Sequence, residues 1–342
     1  MKNLLQNCKN EIRNIRFEYL LYIQNFILGI IFAYSDNSNM VQVLENHSVL
    51  VKEHFAEKYI GRHFRATIKD QINIKGVGLH TGLETNLYLT PAKEHTGIVL
   101  RNYHTKEEIQ VNPFNVKSTV NAVTLSNGSW DVYTVEHLLC ALATAGVTDI
   151  MIELDRNEIP ILDGSSIEFY QAIKEAKVIE SNIPIEPIKI LNPVWVVSQD
   201  KYIIAVPSDE FKVTYTIHYE HPDLRGRSLY ISLNSEIVEK EILSARTFGF
   251  LKDVEYLRAK GLIKGASFDN AVVLTDDGYV NTDLRYPDEC IRHKVLDLIG
   301  DLYLLNRPII GHIIAFRTGH TMDVALAKNI LNHINQNELV RK

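Results

Sequence analysis

The residues best suited to chemistry lie on one predicted helix in the last quarter of the chain. Apolar residues between Asp288 and Leu302 recur with a helical period, which predicts an amphipathic helix. His293, Asp297 and Asp301 occupy every fourth position, so their side chains project from one side of that helix. Imidazole nitrogens and carboxylate oxygens are the donors that zinc and similar divalent ions bind in proteins. The pattern therefore predicts a metal site, and a solvated helix face on which a histidine stands near an acid is the alternative.

Two further candidates for the same site lie far upstream, on a helix predicted from Thr134 to Ala143. Glu136 and His137 are adjacent, so their side chains leave the helix about 100° apart and cannot share one direction. If His137 binds the ion, Glu136 lies close to the ion without being one of its ligands. From there it reaches a water molecule at the ion, which is the position of a general base.

The composition, net charge and cysteine content indicate which classes of protein the chain can belong to. The chain has 342 residues, 46% apolar and 23% charged, which is typical of a globular protein with two domains. Its net charge of −6 argues against a nucleic-acid partner, since phosphate contacts require a basic surface. Cys8, Cys140 and Cys290 are too widely spaced for a disulfide framework or a thiolate zinc site. We therefore expect a reducing compartment and a cytoplasmic location.

Residues 1–62 differ from the rest of the chain. Basic residues precede an apolar run from Phe17 to Tyr34. Its cleanest apolar part, Phe26 to Tyr34, is too short and too interrupted to predict a membrane span. No small-residue cleavage site follows the run. We interpret residues 1–62 as a non-essential or misassigned N-terminal extension. An amphipathic helix that contacts a membrane surface and a cleaved presequence are the two alternatives.

The order of predicted elements indicates the fold. Alternating apolar and polar residues from Phe64 onward predict strands, then a helix, a strand and a second helix. After Pro184 and Pro187 the same order begins again. The sequence therefore predicts an α+β protein with two similar two-layer β/α domains packed face to face, residues 63–183 and 188–342. We expect the metal site between the two domains, with ligands from each.

Several short motifs occur in a fixed order from Phe64 to the C-terminal end of the chain. They are Gly76–Gly82, Thr134–Leu139, Ile159–Ser165, Ala245–Phe250, Gly265–Ser267 with Asp269–Ala271, Arg292–Asp301 and Gly319–His320. Together they resemble the signature sequences of the UDP-3-O-acyl-N-acetylglucosamine deacetylases, the zinc amidases of bacterial lipid A biosynthesis. The resemblance implies hydrolysis of the 2-acetamido group of an acylated UDP-N-acetylglucosamine to a free amine and acetate.

The same resemblance implies catalytic roles. Zn²⁺, with ferrous iron as the alternative ion, would be held by His137, His293 and Asp297. Glu136 would accept the proton of the attacking water. His320, oriented or kept cationic by Asp301, would stabilise the oxyanion or protonate the departing nitrogen. Thr247 would donate a hydrogen bond to the oxyanion; from the residues alone, it also suits the N-cap of a helix predicted to begin within residues 244–250.

Substrate contacts are also implied by the resemblance. Lys294 would meet the diphosphate, and Phe211 would lie under the uracil. Phe248 and His80 are assigned to substrate binding from the motifs that contain them, although a structural role for His80 is equally well supported by the glycines around it. The apolar segment from residue 249 to 273 would form the passage for the acyl chain.

Two other classes of function remain open from the residues. One is a different metallohydrolase, such as a peptidase, but H-E-x-x-H is absent and the inverted motif fails because position 133 is Tyr133. The other is a non-catalytic relative that binds a nucleotide sugar, which the presence of Glu136, the metal ligands and His320 disfavours. We further expect a monomer with at most a weak contact to a membrane surface.

Overall fold

The structure is a computed structural model that describes residues 58–280 and 283–340, with side chains to residue 334. The first 57 residues of the predicted N-terminal extension lie outside the described residues, so the three interpretations of that extension stay predictions. The described residues all belong to one unit, Phe55–Lys342. No helix in the described part of the chain combines the length and apolar character needed to cross a membrane.

The first half of the described chain contains a five-stranded sheet and two helices. Its elements are β1 (Phe64–Ile68), β2 (Ile72–Val77), β3 (Glu84–Pro91), β4 (Ile98–Asn102), β5 (Glu108–Gln110), β6 (Val116–Ser118), β7 (Thr124–Ser126), β8 (Asp131–Val132), α1 (Glu136–Ala145), β9 (Ile150–Leu154), α2 (Ile167–Glu175) and β10 (Val178–Pro184). The main sheet has the order β2-β3-β9-β4-β5. Strands β6, β7 and β8 form a small separate sheet, and β1 pairs with β10.

The second half repeats this plan. Its elements are β11 (Ile188–Lys189), β12 (Val194–Ser198), β13 (Lys201–Val206), β14 (Phe211–Ile217), β15 (Arg227–Ser232), α3 (Ser235–Glu241), β16 (Phe248–Phe250), α4 (Val254–Ala259), β17 (Val272–Leu274), α5 (Glu289–Leu302), β18 (Ile309–Phe316) and α6 (His320–Val340). The main sheet has the order β12-β13-β18-β14-β15, and β11 also pairs with β18. Strands β16 and β17 form a separate parallel pair.

The two main sheets have the same topology. Strand β9 lies between antiparallel β3 and parallel β4, and β18 lies between antiparallel β13 and parallel β14. Helix α1 precedes β9 along the chain as α5 precedes β18, so the two helices occupy equivalent places in the two halves. The predicted α+β architecture with two similar halves is therefore confirmed.

Helices α1 and α5 pack directly against each other. Every residue of α1 is buried, which explains why its sequence has apolar residues on all faces rather than one stripe. The contact is close because Gly300 of α5 has no side chain. A Cβ atom at position 300 would lie 2.1 Å from the main-chain oxygen of Glu136, far inside van der Waals contact. Gly300 therefore allows the helix that carries Asp297 to approach the helix that carries His137.

The helix predicted to begin within residues 244–250 is wrong. Residues 248–250 form strand β16, and the next α-helix begins at Val254. Residues 248–250 pair with Val272–Leu274, and the main-chain oxygen of Thr247 accepts from the N–H of Val272, so these main-chain groups are not available to a helix. This pairing depends on contacts distant in sequence and outweighs the local preference. The helical continuation predicted from Tyr256 agrees with α4.

We predict that Gly300→Ala destabilises the protein. Alanine normally favours a helix interior over glycine by about 1 kcal/mol, but here its methyl group would overlap the main chain of α1, and overpacking of this kind costs about 1–3 kcal/mol. Urea denaturation should therefore give a lower free energy of unfolding. Gly249→Ala is the control, because no atom lies within 4 Å of its added Cβ. Equal or higher stability of Gly300→Ala would contradict the close contact.

Candidate metal centre

Helix α5 presents two metal donors to the interface with α1. His293 Nδ1 lies 3.0 Å from the main-chain oxygen of Ala245, and its Nε2 lies 3.2 Å from Asp297 Oδ1. His137, from α1, places its Nε2 3.7 Å from the same carboxylate oxygen. One donor atom from each of the three residues lies within 4.8 Å of the others, and all three side chains are buried. The structure therefore brings together the three predicted metal ligands.

The hydrogen bonding of these residues fits a divalent cation. A carbonyl oxygen only accepts, so His293 Nδ1 carries a proton, and Nε2 faces Asp297 Oδ1. That oxygen is buried and has no hydrogen-bond partner in the described part of the chain. A ring nitrogen and a carboxylate oxygen that face each other in a buried site need a cation between them, either a proton or a metal ion. Burial, reinforced by the neighbouring His293, lowers the pKa of His137 to about 3, which keeps its imidazole neutral, as a metal ligand must be.

The second carboxylate oxygen of Asp297 has a different partner. Lys294 Nζ donates to Asp297 Oδ2 over 2.7 Å, and Lys294 is itself buried. Burial opposes the ionisation of Asp297, but His293 and Lys294 outweigh it and hold its pKa well below the usual range. Asp297 therefore stays ionised, as a metal-binding carboxylate must.

Glu136 is buried beside the three ligands without being one of them. Its Oε2 accepts a hydrogen bond from the main-chain N–H of Val123 over 3.1 Å, and its Oε1 lies 3.7 Å from His320 Nε2. Burial raises the pKa of Glu136 to about 7, with nearby Asp301 and Asp297 adding to the rise and His320 opposing it. A carboxylate with a pKa near neutrality is suited to accept a proton and pass it on.

His320, which is partly buried at the start of α6, pairs with the buried Asp301 of α5. His320 Nδ1 donates to Asp301 Oδ2 over 2.8 Å, and Nε2 is directed toward the site, 4.0 Å from Asp297 Oδ2. Burial disfavours the charged ring, but Asp301 and Asp297 outweigh it and raise the pKa of His320 to about 10. At neutral pH the ring is therefore an imidazolium with one N–H facing the metal ligands.

Of the residues assigned to the substrate, Phe248 and Thr247 lie at the edge of the site. Phe248 is partly exposed, and its ring centroid lies 6.3 Å from that of His293, so it borders the site. Thr247 precedes it and is also partly exposed, with its main chain bonded to Gly164 and Val272. Because residues 248–250 form a strand, the N-cap alternative for Thr247 no longer applies.

His80 and Phe211 do not have the surroundings expected of open substrate contacts. The main-chain N–H of His80 donates to Glu158, and both ring nitrogens are buried without a partner in the described part of the chain. Phe211 is 4% exposed and lines a small apolar cavity with Ile60 and Ile309. A ring enclosed in this way has no face to offer to a uracil base. We therefore do not retain the uracil-binding role of Phe211.

Sequence reasoning missed two buried carboxylates near the site. Glu289 lies one helical turn before His293 and continues the series of every fourth residue formed by His293, Asp297 and Asp301. This spacing could have identified Glu289 from the sequence. Asp323 is buried on α6, and neither carboxylate oxygen has a partner in the described part of the chain. Nothing in the local sequence marks Asp323, because its burial depends on how α6 packs against α5.

Two equivalent helices that bring histidine and aspartate ligands together beside a buried glutamate define the class as a two-domain α+β metallohydrolase. Comparison with known proteins gives the family. The family model described as UDP-3-O-acyl N-acetylglycosamine deacetylase matches residues 65–332, and the chain belongs to this family.

Similar proteins come from several bacteria and carry the name UDP-3-O-acyl-N-acetylglucosamine deacetylase. The relative in Leptospira biflexa is 50% identical over 280 residues, covering 81% of this chain and 93% of the relative. The relative in Thermodesulfovibrio yellowstonii is 43% identical over 272 residues, with 78% and 92% covered. The relative in Saccharophagus degradans is 42% identical over 277 residues, with 80% and 90% covered. The family resemblance inferred from the motifs is therefore confirmed.

We predict that His137→Ala abolishes high-affinity zinc binding. Loss of an outer partner of a ligand costs about 10–100-fold in metal affinity, so loss of a ligand should cost at least about 100-fold. Competition with a chromogenic chelator measures the affinity. His312→Ala serves as the control, because this partly buried histidine bonds Thr214 in the second main sheet and is not among the three ligands. Unchanged zinc affinity in His137→Ala would contradict the assignment of the ligand.

The raised pKa of Asp323 predicts how the stability of the folded chain depends on pH. Burial and then the carboxylate of Asp301 raise its pKa to about 7, against the opposing charges of Lys294 and His320. Because the pKa is higher in the folded than in the unfolded chain, the folded chain binds more protons between pH 4 and 7, and stability falls as pH rises through this window. Above the pKa that Asp323 has in the folded chain, the loss of stability has reached its full size.

Asp323→Asn should remove this penalty. We expect the free energy of unfolding of the variant, relative to the parent, to improve by about 2 kcal/mol between pH 5 and pH 8. Urea denaturation of metal-free protein at the two pH values measures the difference. Parallel pH dependence in the two proteins would show that folding does not raise the pKa of Asp323.

Proposed function

We propose that this protein hydrolyses the acetamido group of UDP-3-O-acyl-N-acetylglucosamine, giving UDP-3-O-acyl-glucosamine and acetate in lipid A biosynthesis. The observation that carries the proposal is the position of Glu136 and His320 beside the ligand cluster, 3.7 Å from each other, one suited to accept a proton and the other to donate one. The names of the relatives, which cover most of the chain, support the same substrate.

The three ligands suit Zn²⁺, because two neutral imidazoles and one carboxylate are a common donor set of catalytic zinc. Zinc supplies Lewis-acid chemistry there, lowering the pKa of water and polarising the amide carbonyl. The second nitrogen of His293 bonds a main-chain carbonyl, and the second oxygen of Asp297 bonds Lys294, so both ligands are oriented by outer partners. Ferrous iron remains the alternative ion.

Glu136 would accept the proton that the attacking water loses as it forms a bond to the carbonyl carbon. Its Oε2 is held by the main chain of Val123, which leaves Oε1 on the side of His320 and the ligands. A pKa of about 7 allows Glu136 to be ionised before the attack and protonated after it.

His320 would act on the departing nitrogen. Its Nε2–H faces the site and donates a proton to the nitrogen as the carbon–nitrogen bond breaks, so that the amine leaves neutral. Asp301 accepts a hydrogen bond from Nδ1 and favours the cationic form, which the ring regains by taking up a proton from solvent at Nε2. The acetyl group keeps the oxygen of the water, and the water's protons pass to the amine and to solvent.

The substrate would enter along the segment that follows Thr247. Thr247 would donate to the oxyanion, and Phe248 would contact the glucosamine ring. The insert β16–α4–β17 has exposed apolar side chains, among them Leu251, Tyr256 and Phe268, which suit an acyl chain. The diphosphate contact of Lys294 remains part of the proposal, whereas the enclosed ring of His80 favours its structural alternative.

Other properties follow from the family resemblance. We propose a cytoplasmic enzyme that acts as a monomer, contacts a membrane surface at most weakly and does not bind nucleic acid. The proposed domain boundaries are residues 63–183 and 188–342, with residues 1–62 as an extension.

We predict that Glu136→Gln loses about 10²–10⁴-fold in kcat for acetate release, the usual contribution of a general base. Glutamine keeps the shape and accepts the hydrogen bond of Val123 but cannot accept a proton, so zinc content should be unchanged. Acetate release from UDP-3-O-acyl-N-acetylglucosamine and metal analysis of the same samples measure both quantities.

Glu168→Gln is the control, since this glutamate lies on α2 and is not among the residues of the centre. It should retain the parent rate. A folded, zinc-loaded parent that releases no acetate would contradict the proposed reaction and favour a nucleotide-sugar-binding role.

A further inference from the structure

We propose that Glu289 is a positioning residue that sets the zinc affinity and turnover of the centre through the main chain of residues 245–247. This inference deepens the proposed function and rests on it for the identity of the reaction. Glu289 touches neither the ligand cluster nor the proposed base. Its effect would pass through the carbonyl of Ala245, which orients His293.

The carboxylate of Glu289 is 1% exposed, and both of its oxygens are used. Oε1 accepts from the main-chain nitrogen of Arg246 over 3.0 Å and from its Nε over 2.8 Å. Oε2 accepts from Arg246 Nη2 over 3.1 Å and from the main-chain nitrogen of Arg285 over 2.7 Å. One side chain on α5 thus holds two separate stretches of chain.

The residue next to Arg246 provides the acceptor for His293. Residues 245–247 belong to no helix or strand, so no regular main-chain hydrogen bonding fixes the Ala245 carbonyl. Glu289 and His293 are one turn apart on α5 and bond adjacent residues of this segment. The two contacts therefore fix the segment against α5 at two points.

The position of that carbonyl matters for zinc. It keeps the proton of His293 on Nδ1, so that Nε2 presents its lone pair to the ligand cluster. A main-chain carbonyl cannot be removed by substituting a side chain. Substitution at Glu289 is therefore the way to displace the carbonyl without altering a ligand.

The competing explanation is that Glu289 contributes only to stability. The chain offers a matched control in Asp149, which is 2% exposed and binds Arg65 through two contacts of 2.8 and 2.5 Å. Asp149 also accepts from the main-chain nitrogen of Gly97. Both carboxylates are buried, bind one arginine at two points and hold a main-chain N–H, but Asp149 bonds no residue of the centre.

The experiment compares Glu289→Gln with Asp149→Asn. Zinc affinity is measured by competition with a chromogenic chelator, stability by urea denaturation of the zinc-free proteins, and kcat by acetate release. We expect both variants to lose stability. Glu289→Gln should also bind zinc about 10–100-fold more weakly, the usual effect of losing an outer partner of a ligand, and should lose kcat at saturating zinc. Asp149→Asn should keep the parent values of both.

A milder pair covers the case in which Glu289→Gln fails to fold. Arg246→Lys keeps the cation and the main-chain bond to Glu289 but loses the two-point contact, and Arg65→Lys makes the same change in the control pair. We expect zinc affinity to fall about tenfold in Arg246→Lys, the lower end of the range for outer partners, and to stay unchanged in Arg65→Lys.

Equal zinc affinities within each matched pair would overturn the proposal and leave Glu289 with a structural role. The zinc measurement does not use the substrate. A parent that binds zinc but releases no acetate would therefore contradict the proposed function while leaving the role of Glu289 in zinc binding open to the same test.

Discussion

The contact between α1 and α5 is the constraint on which the rest of the site depends. His137 comes from one helix and Asp297 from the other, so their separation of 3.7 Å is set by how closely the two helices approach. Gly300 permits that approach because its Cα can lie against the main chain of Glu136. A larger side chain there would separate the ligands even if every ligand were intact.

Burial at this contact also assigns the protonation states. The low dielectric raises the pKa of Glu136, and the carboxylates around His320 raise the pKa of its ring further than burial lowers it. A carboxylate and an imidazole in one site are thus suited to the proposed roles of base and acid at the same pH. The charges are tolerated because Asp301 bonds His320 and Lys294 bonds Asp297.

The two halves share the topology of their main sheets and differ in the segments inserted before the central helix. In each half a segment inserted between the main-sheet strands and the central helix holds a residue of that helix. Val123, between β6 and β7, bonds Glu136 of α1, and Ala245, just before β16, bonds His293 of α5. The insert of the second half continues into α4 and exposes apolar side chains, whereas that of the first half forms a small sheet. The common plan accounts for the position of the site, and the inserts account for the surroundings of each helix.

The sequence by itself determined the features that depend on spacing within one element. The fourfold spacing of His293, Asp297 and Asp301 placed them on one side of a helix, and the adjacency of Glu136 and His137 separated a base from a ligand. The repeated order of strands and helices likewise predicted two similar halves. These inferences required only the geometry of a regular helix or strand.

Only the tertiary structure decided which partners these side chains meet. It enclosed Phe211 in the core, turned residues 248–250 into a strand, and gave Glu289 two stretches of chain to hold. It also left Asp323 buried without a partner in the described residues. Desolvation and hydrogen bonding at these positions come from segments far away in the chain, and local periodicity carries no information about them.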